Sequence, residues 1–301
     1  MAINRGNFAK SLWPGINKWY GDSYAMYPEE YKQLFDTFNT TKAFEEDVGI
    51  SGFGLASVIT EGNSVTYDTM QQAYLTRYTP VKYGLGFIIT QEMIDDDQYM
   101  VVGKRRASAL AFSMRQTKET IAANVYNRAF NSTYTGGDAK EMCATDHPNK
   151  VGGTWANELA TAADMSEAAL EQACIDIAAF TNDRGLLIAA MPTSLIIPSE
   201  LVFEAERILK TPLQVYSADN TINALKSMGK FQNVIVNHYL TDADAWFIRT
   251  NVPDGVKYFE RKTDTFSEDN DFDTDNLKYK AVGRYAFGWT DPRGIFGSPG
   301  A

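Results

Sequence analysis

Val81, Tyr83, Leu85, Phe87 and Ile89 alternate with Lys82, Gly84, Gly86 and Ile88, a period of two that predicts a strand with one buried face. The period changes at Thr90-Gln91-Glu92, where a capping residue followed by acid near the positive end of the dipole marks a helix start. No proline intervenes before Phe130, and Leu110, Met114, Ile121 and Val125 fall on one face. A helix over 91–130 would reach about 55–60 Å, with Gly103 the expected break. A helix of that length reads as a strut.

Upstream, residues 48–72 are rich in Gly, Ser and Thr, and Val58-Ile59 and Val65-Thr66-Tyr67 flank Glu61-Gly62-Asn63. This pattern predicts a long hairpin. Residues 1–50 scatter Phe8, Trp13, Trp19, Tyr20, Tyr24, Tyr27, Tyr31, Phe35 and Phe38 among Gly, Pro and Asn, with no sustained period outside 28–38. Such an arm either folds onto its own domain or buries its rings on another subunit, and both readings stay open.

Downstream, residues 131–164 are loop-like, and Ser166-Glu167 opens a helix carrying Leu170, Cys174, Ile177 and Phe180. Leu186 to Met191 and Ser194 to Ile197 read as buried strands, and Leu201 to Leu209 and Thr221 to Met228 as helices. Val234-Ile235-Val236 and Ala245 to Ile248 are strands around the turn Thr241-Asp242-Ala243-Asp244. The tail returns to strands at Val256–Glu260 and Leu277–Trp289, separated by an acidic loop. Residues 165–250 form a mixed unit, the whole is α+β, and no solenoid repeat is present.

Composition narrows the classes of function. With 301 residues, 44% hydrophobic and 22% charged, the chain is expected to fold as one elaborated domain or two subdomains. A net charge of −10 opposes a broad grip on phosphates. No apolar run reaches membrane-spanning length, and the first residues lack the stretch of a signal peptide. Cys143 and Cys174 suit a reducing cytoplasm as small buried hydrophobes.

Candidate chemistry is sparse. The two imidazoles are His147, in a Gly-rich loop, and His238, at a strand end or turn. Cys143 and His147 supply two metal-type ligands where a structural zinc site needs about four, so no metal and no cofactor are expected. Neither phosphate-cradling glycine motif is present, and Gly49-Ile50-Ser51-Gly52-Phe53 misses the nucleophile elbow. Asp264, Glu268, Asp269, Asp271, Asp273 and Asp275 invite a calcium reading, but from Asp269 the sixth position is Thr274 and the twelfth Lys280. Lys104, Arg105 and Arg106 read as a solvated or ion-paired face. No catalytic residue is assigned, and a hydrolase using carboxylates such as Asp183 or Asp244 lacks a motif.

Taken in order, aromatic arm, Gly-rich hairpin, strand, very long helix, α+β unit and closing strands resemble the Hong Kong 97-type major capsid protein of tailed phages. Local sequences carry the resemblance: Thr79-Pro80-Val81-Lys82-Tyr83 through Ile89-Thr90-Gln91-Glu92-Met93-Ile94-Asp95-Asp96-Asp97 resembles the strand-to-spine junction. Ala144-Thr145-Asp146-His147-Pro148 with Gly152-Gly153-Thr154 and Asn157 is similar to a head-subunit loop. Pro192 to Leu201, Ala205 to Leu209 and the ending Gly283 to Gly294 also match.

The resemblance implies an N-terminal arm over 1–47, an E-loop over 48–80 and a P-domain over 81–164 with its spine helix at about 91–130. It further implies an A-domain over 165–250 and closing P-domain strands over 251–301. It implies a non-enzymatic subunit that forms pentamers and hexamers of an icosahedral virion shell around double-stranded DNA, without sequence-specific binding and without a membrane. Subunit contacts are expected at Trp13, Trp19, Tyr20, Tyr24, Phe53, Val58, Ile59, Tyr67, Lys104, Arg105 and Arg106. Because the arm starts near Met1, a separate scaffolding protein is expected, alongside a portal and decoration proteins, with assembly in the host cytoplasm. Some relatives join subunits by a Lys-to-Asn isopeptide bond; no such pair is assigned here. The competing reading within the same fold is an encapsulin-like compartment.

Overall fold

The computed structural model describes residues 9–26, 28–90, 92–93, 99–214, 221–270 and 276–301. The first half of the chain contains helices α1 (Ala9–Tyr24) and α2 (Tyr31–Leu34) and strands β1 (Asp36–Asn39), β2 (Glu45–Ile50), β3 (Gln72–Tyr78) and β4 (Val81–Ile89). The long helix α3 (Tyr99–Asn127) and the short strands β5 (His147–Pro148) and β6 (Thr154–Trp155) follow. The second half contains α4 (Glu167–Ala178), β7 (Pro192–Ile197), α5 (Val202–Lys210), α6 (Ala224–Met228), β8 (Asn233–Val236) and β9 (Trp246–Thr250). Strands β10 (Val256–Asn270), β11 (Leu277–Trp289) and β12 (Ile295–Ser298) close the chain.

The first sheet has the order β1-β10-β11-β4, antiparallel except where β1 runs parallel to β10. The alternating segment is its edge strand β4. Tyr83 and Phe87 stack on Tyr285 and Tyr279 at 4.9 and 5.0 Å, and Ile89 is fully buried. Val81 and Leu85 remain half-exposed at the open edge, so the expected buried face is only partly covered. β10 does not stop at Glu260; it continues to Asn270, with register shifts between Glu260 and Thr265 that break the alternation. Asp264, Glu268 and Asp269 are therefore strand residues, and Asp271, Asp273 and Asp275 lie outside the described residues.

The second sheet has the order β12-β9-β7-β8 and is covered on both faces. Leu195, Ile197, Trp246, Ile248 and Phe296 point into a cluster with Leu170, Ile177, Ile208 and Leu225 of the three helices α4, α5 and α6. Ile196 and Phe247 point the other way, into a cluster with Tyr31, Leu34 and Tyr126. Burial on both faces is the reason these strands read as unbroken apolar runs. Leu186 to Met191 is not a strand: it makes one isolated bridge, Thr181 to Leu187, and leaves Leu187 and Met191 exposed.

Helix α3 spans 29 described residues, about 43 Å, and Gly103 lies inside it without breaking it. Gln91 and residues 94–98 of the expected helix lie outside the described residues. Its first half buries Leu110 and Met114 against Tyr20, Ile89 and Phe266, and its second half buries Ala122 and Tyr126 against the second sheet. It thus ties two separate cores together. Ser166 caps α4 by accepting the Ala169 N–H at 3.2 Å, as its position before the helix requires.

Candidate subunit-contact surfaces

Strands β2 and β3 pair antiparallel from Glu45 with Tyr78 to Ile50 with Gln72, and the chain between them runs out as a long hairpin, residues 51–71. Its two arms stay together by Ser51 with Gln71, by the Gly54 N–H on Asp68 Oδ2 at 2.8 Å and by Ser57 with Thr66 at 3.1 Å. The tip turns at Thr60–Asn63, where Gly62 takes a φ of +87° that an L side chain rarely adopts. Val58 is 93% exposed, Tyr67 92% and Leu55 82%, and Phe53, Ile59, Val65 and Met70 are also exposed. A run of apolar side chains on both arms, left in water by its own chain, is the composition of an interface.

The root of this hairpin is held. Arg184, in the turn after α4, donates Nη1 to Asp68 Oδ2 at 2.9 Å and Nη2 to the Thr69 carbonyl. The Gly54 and Thr69 N–H groups, with Arg184 behind them, hold the Asp68 carboxyl below the usual carboxylate range. Asp68 and Arg184 were not singled out from sequence, because nothing local marks a pairing across more than a hundred residues.

The arm behaves differently. Tyr20 stacks on Phe266 at 4.7 Å and is 6% exposed, and the Tyr24 hydroxyl donates to Asp264 Oδ2 at 2.6 Å. Asp264 in turn pairs at 3.0 Å with Lys118, which is 2% exposed and also lies 3.6 Å from Glu260. Burial, reinforced by the charge of Asp264, pushes the Tyr24 hydroxyl far above the ordinary tyrosine range. Gly283 is required beside this cluster, since a Cβ there would lie 2.0 Å from Asp264 Oδ1. At the next residue, both carboxylate oxygens of buried Glu119 accept N–H groups of Glu30 and Tyr31 at 2.9 Å, and Arg115 donates to the Tyr24 carbonyl. Glu30 reaches on to His238, at 2.7 Å from Nδ1.

A third constellation joins the loop before α4 to the end of the chain. Buried Asn157 donates to the carbonyls of Met142, Pro292 and Ile295 and accepts the Ala144 N–H at 2.9 Å. Its Oδ1 is therefore an acceptor toward His147 Nε2 at 3.0 Å, so that nitrogen carries a hydrogen, while Nδ1 contacts Asp138 at 2.6 Å. Both ring nitrogens are engaged, and Cys143 lies buried against Gly297 and Phe130 instead of beside the ring. A cavity of about 550 Å³ lies between the hairpin root and the body. Its carboxylates are paired, Asp47 and Asp254 with Lys257, and Asp183 and Asp291 with Arg293. Among the described residues, no group of three or more His, Cys, Asp and Glu is placed to hold a metal ion. No helix among the described residues is long and apolar enough to cross a membrane.

Of the contact residues expected from sequence, Phe53, Val58, Ile59 and Tyr67 are exposed together on the hairpin. Trp19, Tyr20 and Tyr24 instead pack within the chain, in the cluster at the first half of α3. The Trp13 side chain lies outside the described residues. Lys104, Arg105 and Arg106 are exposed on α3, and Arg106 donates to the Ile88 carbonyl at 2.6 Å.

These surfaces belong to an α+β chain with a projecting hairpin and a helical strut joining two cores. The comparisons place it. The phage capsid protein family matches residues 73–297, and the chain belongs to that family. Its fold is the Hong Kong 97-like capsid fold. It is similar to a virus-like particle from Pyrococcus furiosus, with 11% identity, 94% of this chain and 97% of that chain covered and a TM-score of 0.53. The procapsid of bacteriophage JBD30 gives 16%, 97%, 75% and 0.52, and the capsid of cyanophage P-SCSP1u gives 10%, 91%, 88% and 0.55. No curated protein matches the sequence. The chain is a structural capsid protein, a component of the virion.

Proposed function

We propose that this chain is the major head subunit of a tailed phage, forming the pentamers and hexamers of an icosahedral shell that encloses double-stranded DNA. Assembly takes place in the host cytoplasm around a separate scaffolding protein, with a portal and decoration proteins as further partners. DNA is enclosed without sequence-specific binding, a reading supported by the net charge of −10. Residues 1–47 act as the arm, 48–80 as the E-loop, 81–164 and 251–301 as the P-domain and 165–250 as the A-domain. The family match favours a phage head over an encapsulin-like compartment.

The observation that carries the reading is the hairpin over 51–71, whose apolar side chains are exposed on both arms and whose root is pinned by Arg184. Residues 43–81 contain no lysine, so the hairpin offers no amine for an isopeptide bond and holds a neighbour by packing. Each exposed Val, Ile or Tyr gains about 1.5–3 kcal/mol when buried, and that gain repeats at every copy of the contact. The triple variant V58S/I59S/Y67S is expected to melt within about 1 °C of the natural subunit, because these side chains are exposed. Its assembled fraction in sedimentation velocity should fall at least about tenfold. Undiminished assembly of the variant would remove the hairpin from the contact.

A further inference from the structure

Lys257 and Lys118 each lie between two carboxylates, and their surroundings differ. Lys257 meets Asp47 and Asp254, and the Asp254 side chain is 63% exposed, so water shares that pair. Lys118 meets Glu260 and Asp264 inside the fold, where the Asp264 side chain is 4% exposed. The rings of Tyr285 and Tyr31 flank its ammonium at 5.1 and 5.7 Å and keep water away. One cation and two anions held this way leave an uncompensated charge out of water, an expensive arrangement for an ion pair alone.

The geometry is that of a reactive trio. Lys118 Nζ lies 3.0 Å from Asp264 Oδ2, an oxygen bonded to the carbon that an amine attacks. The Tyr24 hydroxyl donates to the same oxygen at 2.6 Å, a donor already aimed at the charge that builds there during attack. Asp264 Oδ1 is buried and has no hydrogen-bond partner among the described residues, so nothing holds it in place. Glu260 Oε1 lies 3.6 Å from Nζ and accepts the Tyr258 hydroxyl at 2.9 Å, which fixes a proton acceptor beside the amine.

We propose that Lys118 and Asp264 condense into an isopeptide bond within one chain, with Glu260 as the proton carrier. Glu260 takes one proton from the ammonium, and the freed lone pair attacks the Asp264 carboxyl carbon. Oδ1 then receives that proton from Glu260 and a second from the attacking nitrogen, and leaves as water. The new Nζ–Cγ bond keeps one hydrogen on nitrogen, so atoms and charge balance without a further reactant. Two desolvated charges disappear, which drives the step forward. The freshly folded chain holds the ion pair, and the closed chain holds an amide in its place. The bond fastens α3 to β10 and needs no second copy, so it stands or falls apart from the hairpin contact.

Mass spectrometry of the intact natural chain, incubated at neutral pH, is expected to show a growing species lighter by about 18 Da, one water. Tryptic digestion should yield a branched peptide joining the segments around Lys118 and Asp264, which separates this bond from dehydration of a single aspartate. The closed chain should run ahead of the open one on a denaturing gel, because the cross-link constrains the unfolded state. K118R keeps the cation and should show no branched peptide. E260Q keeps the side-chain shape and should slow closure at least about a hundredfold. Absence of the branched peptide from the natural chain after prolonged incubation overturns the proposal. Closure of E260Q at the natural rate removes Glu260 from the mechanism, and a branched peptide at Lys257 instead would show that burial does not select the pair.

Discussion

Replacing Lys118 with methionine is expected to lower the melting temperature of the subunit by about 6–10 °C, measured by calorimetry at neutral pH. Methionine keeps the aliphatic packing of the side chain between Tyr31 and Tyr285 and removes the charge. Asp264 and Glu260 are then left without the ammonium that lay 3.0 and 3.6 Å away, and the Asp264 side chain is only 4% exposed. Breaking a buried pair from one side costs about 3–5 kcal/mol, because the surviving charge stays desolvated. A chain of this size shifts its midpoint by about 2 °C per kcal/mol. The double variant K118M/D264L removes both charges and should regain most of the loss. If K118M alone is neutral, the cluster does not hold the arm through charge.

Glu119 gives the second large effect, and it depends on pH. Burial lifts its carboxyl to about 7, the charge of Glu30 pushes the same way, and the Tyr31 and Glu30 N–H bonds and Arg115 oppose the rise. Tyr239 faces the same site. In the unfolded chain a glutamate releases its proton near about 4.3, so between there and about 7 the folded state keeps a proton that the unfolded state has lost. The contribution of this group is therefore complete below about 4.3 and is lost as pH rises to about 7, with a slope approaching 1.4 kcal/mol per pH unit. E119Q should flatten that slope in denaturant titrations at successive pH values. E119A should cost about 2–3 kcal/mol at pH 5, because two backbone N–H groups lose their acceptor. An unchanged slope in E119Q would assign the pH dependence to another group.

These two neighbours also mark where sequence reading stops. The strand at Val81–Ile89, the cap at Ser166 and the hairpin between Ile50 and Gln72 were legible because their signals are local: alternation, a capping hydroxyl and a Gly-rich turn. Helix α1 was not, since Pro14, Gly15 and Gly21 within sixteen residues argue against a helix, and Trp19, Tyr20 and Tyr24 find their partners on α3 and β10. β10 was cut short at Glu260 because the following residues are charged and the register shifts break the alternation. Asp264 belongs in that strand only because Lys118 lies beneath it, a pairing across almost half the chain. Leu186 to Met191 was overread, as an apolar run alone does not supply a neighbouring strand. His147 drew attention as a possible ligand, whereas Asn157, which bonds its ring and joins the loop to the chain end, has no motif of its own.

On the proposed function, this chain builds a closed shell through contacts between its own copies. Electron microscopy of the purified full chain, alone and with extract from its source, tests this most directly. The expected images are capsomer rings of five and six subunits, with closed shells of uniform size appearing once the extract supplies a scaffolding protein. Monodisperse single subunits under both conditions would contradict it.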